Sequence, residues 1–302
     1  LRRARPVTSG LLFQYVVAGL TYGAIYAVVG IGFNIIYNAT GIINFAQGEF
    51  AMLGGMIAWT LYRMVPLPLA VAGAVLATMA VGALVEVSFI RWLRGPSVLR
   101  MIVITIGVSI LIREAALAAW GESVRALPYF PGSEVSALEV LGARVSPQVL
   151  WTLGTGTVIV AFLVVFFEYT RVGREMRACA QNRDAAALCG LPVRNLVTLS
   201  FVLSAGIGAL AGCVVSPITY TSYGIGAGLA IKGFTVAILG GLGNSMAAVA
   251  AGLVVGLLES FSVVLLPTAF KDTVSLTILL AILVLRPAGL FGSREAARLK
   301  AF

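Results

Sequence analysis

The chain has 302 residues, of which 60% are hydrophobic and 11% are charged, and its formal net charge is +9. Its mean hydropathy is +1.01. Because a soluble domain carries about 25% charged residues, this composition excludes an ordinary soluble protein and indicates a polytopic membrane protein.

Apolar runs of about 18 residues or more recur along the chain, and each is long enough to cross the roughly 30 Å hydrocarbon core of a bilayer. In chain order, the predicted membrane segments are 11–37, 42–62, 67–90, 99–119, 148–168, 196–217, 226–243, 245–266 and 273–291. We therefore predict an all-α fold, a polytopic transmembrane helical bundle of about eight to nine membrane segments. Broken or re-entrant helices are expected among these segments, and residues 1–302 are predicted to form a single transmembrane domain.

Arginine-rich segments orient the bundle, because Lys and Arg near the ends of spans resist translocation. The loop 91–100 carries three arginines and no acid, and segment 171–195 carries five arginines and two acids. Both are expected in the cytoplasm, as is the C-terminal tail. Segment 121–147 is nearly balanced in charge and is predicted to form an outer loop.

The N-terminal region conflicts with this orientation. Three arginines within residues 2–5 favour a cytoplasmic start, whereas three crossings before Arg91 place the start outside. We favour an interpretation in which 41–62 is a re-entrant or broken segment rather than a full span. The alternative is that the first span departs from the charge rule, which is statistical. Since the first apolar run continues to about Tyr37 without an A-x-A site, we interpret it as a retained span and not as a signal peptide.

Segment 171–195 is too long for a simple hairpin, and its centre is rich in alanine and favours a helix. A short cytoplasmic helix between two membrane spans is typical of a docking site for a soluble partner. The alternative is a solvated basic loop that only obeys the charge rule.

Two glycine-rich passages, 39–55 and 223–244, place polar residues at membrane depth. Charged groups in hydrocarbon are costly and face a bundle interior or a water-filled cavity. Paired, glycine-interrupted segments in the two halves of a chain point to a transport pathway. We predict five pathway or gate positions: Asn44, Gln47, Glu49, Lys232 and Asn244. The alternative is that Glu49 and Lys232 are structural, either paired with each other or lying at an interface.

Other features of the predicted spans indicate packing. Small-x-x-x-small patterns let helix backbones approach closely in lipid, and three occur here: Gly19–Gly23, Gly208–Gly212 and Gly252–Gly256. Four further charged residues are expected to snorkel or to pair: Glu86, Arg113, Glu114 and Glu259.

Signatures of an enzyme are missing from the sequence. There is no histidine, which removes the most common general base and imidazole metal ligand. No G-x-x-x-x-G-K-[ST] motif occurs, so the chain has no P-loop with which to bind ATP. The three cysteines are Cys179, Cys189 and Cys213; their spacing fits no metal site, and the expected cytoplasmic position of the first two disfavours a disulfide. We expect no catalytic residue and no metal ligand.

Four passages together resemble one family: GLTYGAIYAVVGIGFNIIYNATGIINFAQGEFAMLGG, MRACAQNRDAAALCGLP, AIKGFTVAILGGLGN and FKDTVSLTILLAILVLRPAGLFG. The family comprises the permease subunits of the branched-chain amino-acid type (LivH type) of bacterial ABC importer, and the resemblance covers nearly the whole chain. The family's INFAHGE passage reads INFAQGE here, with Gln47 where relatives often carry histidine.

The resemblance implies a heteromeric importer in the inner (plasma) membrane that works by alternating access. A second, homologous but different permease chain completes the pathway, two cytoplasmic ATPases bind the ATP and magnesium, and an extracytoplasmic binding protein delivers the solute. It implies no cofactor for this chain and no nucleic-acid partner. Branched-chain or other amino acids are the expected solutes, while related systems carry urea, short amides or other small organic molecules.

Within segment 171–195, Asp184-Ala185-Ala186 followed by Gly190 is similar to the EAA-x-x-x-G pattern through which importer permeases dock their ATPases. A short amphipathic helix that ends at Gly190-Leu191-Pro192 fits such docking. The residues expected to take part are Arg174, Arg177, Arg183, Asp184, Ala185, Ala186, Gly190, Leu191 and Pro192.

Two other functions remain open from the residues alone. A stand-alone secondary transporter or channel would use Glu49 or Lys232 as an ion-coupled group, but it has no need of a helix-forming cytoplasmic segment at 171–195. A membrane-embedded enzyme would need a nucleophile–base pair or a metal constellation, and we find neither.

Overall fold

A computed structural model describes residues 9–92, 98–130, 138–140, 143–265, 267, 270–286 and 289. Within these ranges the helices are α1 (Ser9–Thr40), α2 (Gln47–Tyr62), α3 (Leu67–Val85, continued by a π-helical turn Glu86–Ile90), α4 (Val98–Trp120), α5 (Pro147–Tyr169), α6 (Arg171–Gln181), α7 (Arg183–Leu188), α8 (Val193–Thr219), α9 (Ile225–Gly240), α10 (Ser245–Leu265) and α11 (Lys271–Leu285). Two short antiparallel strands, β1 (Leu138–Val140) and β2 (Ala143–Val145), lie between α4 and α5. The predicted helical membrane bundle is confirmed.

Six of the described helices are long and apolar enough to cross a membrane: Gly10–Thr40, Leu67–Ile90, Leu99–Trp120, Pro147–Tyr169, Val193–Thr219 and Ser245–Val264. Three shorter apolar helices, α2, α9 and α11, have 16, 16 and 15 residues. A helix of that length extends only about 24 Å, less than the hydrocarbon core of roughly 30 Å. Each of the nine predicted segments overlaps one of the six long or three shorter helices. The number of complete crossings stays a prediction.

Contacts between helix termini define two ends of the bundle. Arg91 Nη2 donates a hydrogen bond of 3.3 Å to Thr198 Oγ1, so the end of α3 and the start of α8 lie together. Trp120 Nε1 donates one of 2.7 Å to Thr60 Oγ1, so the ends of α4 and α2 meet at the opposite end. The first end also carries α6 and its arginines, and we call it the basic end. By the charge rule the basic end faces the cytoplasm.

The first helix, α1, finishes at the basic end. Ile36 is buried in one cluster with Ile90, at the end of the π-helical turn, and with Met101, at the start of α4. At the other end of α1, Ser260 Oγ near the end of α10 donates a hydrogen bond of 2.7 Å to Tyr15 O. Since α1 therefore begins at the opposite end, the described residues fit the alternative that we did not favour, in which the first span departs from the charge rule; Arg2, Arg3 and Arg5 lie outside the described residues.

Segment 41–62 is broken, but it is not re-entrant. Gly41 ends α1 with a φ of +71°, and Asn44 Oδ1 accepts a hydrogen bond of 3.2 Å from Ala46 N just before α2 begins. From there α2 continues to Thr60 at the opposite end. The segment therefore passes from one end of the bundle to the other, and the re-entrant interpretation is wrong.

The predicted small-residue patterns are confirmed as helix contacts. A Cβ on Gly23 would lie 2.8 Å from Gly252 O, and a Cβ on Gly19 would lie 2.9 Å from Leu257 Cα. In α8, a Cβ on Gly212 would overlap the carbonyl oxygen of Ala51. Helices α1, α2 and α8 thus form the centre of the bundle, while α3, α4 and α5 expose many apolar side chains at its surface.

Candidate functional site

The short helix α6 is fixed to the membrane helices at the basic end. Its first turn is capped by Thr170, whose Oγ1 accepts a hydrogen bond of 3.0 Å from Gly173 N. Gly173 touches the end of α5 so closely that a Cβ would overlap the carbonyl oxygen of Phe166. One face of α6 buries Met176 and Cys179 in the largest apolar cluster, which includes residues of α1, α5 and α8. A displacement of α6 therefore displaces the membrane helices as well.

Helix α7 has a defined beginning and a defined end. Asn182 Oδ1 accepts a hydrogen bond of 3.0 Å from Ala185 N at its start. At its end, Leu191 N donates to Ala186 O (3.1 Å) and Gly190 N donates to Ala187 O (3.0 Å), while Gly190 has a φ of +81°. These bonds form a Schellman motif, so the predicted helix end at Gly190 is confirmed.

The predicted docking residues do not all face outward. Ala186 is buried against the bundle in the same cluster as Met176, because a six-residue helix needs one inward face to pack. Arg174, Ala185, Gly190 and Pro192 are exposed, Leu191 is half-buried, and Arg177 binds Glu168 at 2.9 Å. The side chains of Arg183 and Asp184 lie outside the part of the chain that the structure describes.

Leu188 is a surface residue that the sequence interpretation missed. It is the last residue of α7, and 90% of its area is exposed. Unlike the exposed leucines of α3, α4 and α5, Leu188 follows the basic helix α6 and precedes the helix-ending glycine. Nothing in the sequence distinguishes it from the buried leucines of the neighbouring helices. Single exposed apolar side chains are normal at protein surfaces, so Leu188 is informative through its position, at the exposed end of a short helix that follows the basic helix α6.

Three of the predicted pathway residues are buried within this chain, around the start of α2. The amide Nε2 of Gln47 donates a hydrogen bond of 3.2 Å to Ser204 O, and the Ser204 hydroxyl lies within hydrogen-bonding distance of Gln47 Oε1 and of Gly32 O. Gln47 thereby joins α2 to α8, and Ser204 joins α8 to α1. Asn44, whose oxygen accepts from Ala46 N just before α2, is also buried.

Glu49 lies two residues further along, in the first turn of α2, and is 1% exposed. Its Oε1 accepts a hydrogen bond of 3.1 Å from Ser109 Oγ of α4. Its Oε2 is buried and has no hydrogen-bond partner among the described residues. Gly226, in the first turn of α9, lies so close that a Cβ there would overlap Oε2. Glu49 therefore brings together α2, α4 and α9.

Lys232 belongs to a separate ionic cluster formed by α9, α10 and α11. Its Nζ lies 2.6 Å from Glu259 Oε1 and 2.9 Å from Asp272 Oδ1. Glu259 also binds Lys271 Nζ at 3.2 Å. The proposed pairing of Glu49 with Lys232 is wrong, because each has other partners on different helices.

The buried carboxylate of Glu259 has two further partners. Tyr26 OH of α1 donates to Oε1 (3.1 Å) and Ser275 Oγ of α11 donates to Oε2 (3.0 Å). The sequence interpretation missed the roles of Tyr26, Lys271, Asp272 and Ser275, since no local spacing connects them.

Asn244 is an exposed helix cap rather than a buried polar group. Its Oδ1 accepts a hydrogen bond of 3.0 Å from Ala247 N and begins α10. The preceding Gly243 is held on both sides by α1: its N donates to Asn34 Oδ1 (3.1 Å), and its O accepts from Asn38 Nδ2 (2.9 Å). Two asparagines four residues apart on an apolar helix were the available sequence signal for this contact.

The expectation that the other membrane charges pair is confirmed. Arg91 Nε lies 3.8 Å from Glu86 Oε2, and Thr198 Oγ1 donates a hydrogen bond of 2.6 Å to the same oxygen. Arg113 Nε lies 3.8 Å from Glu114 Oε1. The Glu86 contacts join the end of α3 to α8, whereas Arg113 and Glu114 are neighbours within α4.

Comparison with solved structures and known proteins identifies the fold and the class of this protein. The fold is similar to that of PsaBC from Streptococcus pneumoniae in complex with Fab, with a TM-score of 0.52 and 11% identity over 97% of this chain and 96% of that chain. At this identity the likeness supports the fold alone. With its apolar helices, the fold defines a multi-pass membrane protein, and the chain's relatives define its class as a transport permease.

The chain belongs to the family of permease components of branched-chain amino acid transport systems, which it matches over residues 15–283. It is 33% identical over 298 residues to the high-affinity branched-chain amino acid transport system permease protein BraD of Pseudomonas aeruginosa, covering 94% of this chain and 97% of that protein. It is 30% identical over 304 residues to the corresponding protein LivH of Escherichia coli K12, with coverages of 94% and 97%. The resemblance found in the sequence is confirmed, and the protein is a permease subunit of the inner membrane.

Proposed function

We propose that this chain carries branched-chain amino acids across the inner membrane by alternating access, driven by ATPases that dock on α6 and α7. The observation that carries the proposal is Leu188, an exposed apolar side chain at the end of a short helix fixed to the membrane bundle. The solute class is supported by BraD and LivH, whose names describe branched-chain amino acid transport.

The partners follow from the same family. Two cytoplasmic ATPases bind the ATP and magnesium, an extracytoplasmic protein delivers the solute, and a second, homologous permease chain completes the pathway. The proposal assigns the chain no cofactor, catalytic group or nucleic-acid partner, and no group of three or more potential metal ligands occurs among the described residues.

Force applied to α7 reaches the interior along two connections. Only residues 189–192 separate α7 from α8, and Ala186 of α7 is buried in the same cluster as Leu196 of α8. The second connection is α6, through Met176 and Cys179. Because α8 also carries Ser204, the bonding partner of Gln47, movement at the basic end changes contacts at the start of α2.

The pathway residues have different parts in this mechanism. Asn44, Gln47 and Glu49 are buried in the present arrangement, and we assign them to a closed passage that opens when α2, α8 and α9 separate. Lys232 keeps α9 against α10 and α11 through its ion pairs. Asn244 begins α10 at the cytoplasmic exit.

The docking surface is tested by Leu188→Glu, which adds a charge to an exposed position and leaves the buried face of α7 unchanged. We expect the chain to fold and to co-purify with the second permease, but to lose its ATPases. Met64→Glu is the matched control, because Met64 is 81% exposed in the connection between α2 and α3 at the opposite end. It should keep all partners.

Retention of the ATPases by Leu188→Glu, with transport unchanged, would show that α7 does not form the docking surface. A chain that purifies without partners and moves solute in the absence of ATP would instead support a stand-alone transporter.

A further inference from the structure

Glu49 has hydrogen-bonding capacity that the protein does not use. A carboxylate accepts about four hydrogen bonds, but among the described residues Glu49 receives one, from Ser109 Oγ at 3.1 Å. Its Oε2 is buried without a partner. Leaving a buried polar atom unpaired is costly, so this oxygen is a place where a donor from outside the chain would bind favourably.

The start of α9 has unused capacity of the opposite kind. The helix begins at Ile225 after Gly224, and no side chain within the described ranges caps it. Ile225 N donates to Ser222 O at 3.2 Å, so the donors available to a ligand are the N–H groups that follow it in the turn. The amide N–H groups of a first helical turn have no partner inside the helix, and the helix dipole favours a negative group there. The first turn therefore suits a carboxylate.

These two features lie side by side. Gly226 of that first turn touches Glu49 Oε2, where a Cβ would overlap the oxygen, and Gly48 of α2 touches the backbone of Gly226 in the same way. Beside the turn, Gly224 and Gly228 are exposed, and a Cβ on either would meet nothing within 4 Å. The contact between the two short helices thus combines a free acceptor, free donors and adjacent open space.

We propose that Glu49 and the first turn of α9 bind the charged groups of an α-amino-acid zwitterion during transport. Glu49 Oε2 accepts from the ammonium group, the N–H groups at the start of α9 donate to the carboxylate, and the solute's side chain extends past Gly224 and Gly228. The inference rests on the proposed function for the class of solute. In the present structure Glu49 and Gly226 are buried, so the site is closed and opens when α9 moves away from α2.

The two unused features together select a zwitterion over simpler ions. A carboxylate without an ammonium group would approach Glu49 with like charge, and an amine without a carboxylate would leave the N–H groups of α9 unpaired. Only a solute that carries both groups satisfies both sides. The site would then recognise the ammonium and carboxylate groups that all α-amino acids share, and side chains would be discriminated elsewhere.

The test compares Glu49→Gln with wild type in the assembled importer, reconstituted in liposomes with its ATPases and its binding protein. The measured quantity is the number of labelled leucine molecules moved per ATP hydrolysed. We expect this ratio to fall roughly tenfold to a hundredfold, the loss expected for one hydrogen bond to a charged group. ATP hydrolysis stimulated by the loaded binding protein should persist. Glu122→Gln, the same change at an exposed position, is the matched control and should keep the wild-type ratio.

A change that merely destabilised the protein would lower transport and hydrolysis together, and that outcome overturns the proposal. An unchanged ratio overturns it as well, while leaving the proposed function intact. If the wild-type importer moves no leucine, the proposed function itself fails.

A second measurement does not depend on a variant. In the wild-type complex, dicyclohexylcarbodiimide labels buried carboxyl groups, and modification of Glu49 can be followed by mass spectrometry. We expect leucine to slow this labelling about threefold or more, and 4-methylpentanoate, which lacks the ammonium group, to have no effect. Equal labelling with and without leucine would contradict the inference, even if Glu49→Gln failed to assemble.

Discussion

Glu259→Gln tests whether the ionic cluster of α9, α10 and α11 is structural. Glu259 is buried and binds two lysines, Lys232 at 2.6 Å and Lys271 at 3.2 Å, as well as the hydroxyls of Tyr26 and Ser275. Glutamine keeps the size of the side chain but removes its charge, which leaves the two lysines next to a neutral amide.

The expected loss in the free energy of unfolding depends on the contacts and the solvent exposure that each lysine keeps. Breaking a buried ion pair by removing one partner costs about 3–5 kcal/mol. Lys232 keeps its contact of 2.9 Å with Asp272, and the side chains of Lys232 and Lys271 are 13% and 25% exposed. We therefore expect the lower limit, about 3 kcal/mol in the free energy of unfolding. For a chain of this size, that loss lowers the melting temperature by roughly 6 °C.

The assay is thermal unfolding of the detergent-solubilised importer, followed by the fraction that remains monodisperse. Asp272→Asn is the matched control, because the Asp272 side chain is 80% exposed and an exposed pair contributes about 0–1 kcal/mol. A melting temperature that falls no further for Glu259→Gln than for Asp272→Asn would refute the reasoning. Loss of transport at an unchanged melting temperature would assign the cluster to the pathway and not to stability.

Two further predictions concern helix contacts. Gly212→Ala should destabilise the importer by about 1–3 kcal/mol, since overpacked cores carry that cost and the added methyl overlaps the carbonyl oxygen of Ala51. Gly154→Ala is the control: a Cβ there meets nothing within 4 Å, so its melting temperature should stay within error of wild type. Equal effects of the two changes would argue against the contact. Asn38→Ala removes the bond of 2.9 Å to Gly243 O and should cost about 1 kcal/mol in the free energy of unfolding, measured by the same thermal assay; an unchanged melting temperature would show that this bond does not fix the turn.

The parts of the fold that depend on local chemistry were predictable from sequence. Gly190 ends α7 as expected, because a left-handed residue after a short helix and the bonds that surround it involve neighbours in sequence. The break before α2 was also predicted, from glycines and polar residues at membrane depth. Its course was not: a cluster of arginines within residues 2–5 suggested a cytoplasmic start, and the charge rule is a statistical tendency that the packing of α1 against α10 overrides.

The candidate sites were predicted as regions rather than as contacts. Lys232 was identified because a lone charge in an apolar run needs a partner, but its partners are 27 and 40 positions away, on two other helices. No periodicity carries that information. Ala186 was expected at the docking surface but is buried, and the exposed Leu188 was missed, since a helix of six residues is too short for its pattern to show which face is buried.

The close contact between α1 and α10 has a consequence for how the chain is made. The hydrogen bond from Ser260 to Tyr15 joins residues 245 positions apart, and the glycine faces of the two helices complete each other only when both are present. A ribosome adds about 5–20 residues per second, so α1 waits in the bilayer for roughly 10–50 seconds before α10 is synthesised. During that interval its glycine face can be covered only by lipid or by the insertion machinery. A mutation in this face therefore changes the α1–α10 contact only after α10 has been inserted, when most of the chain has already been synthesised.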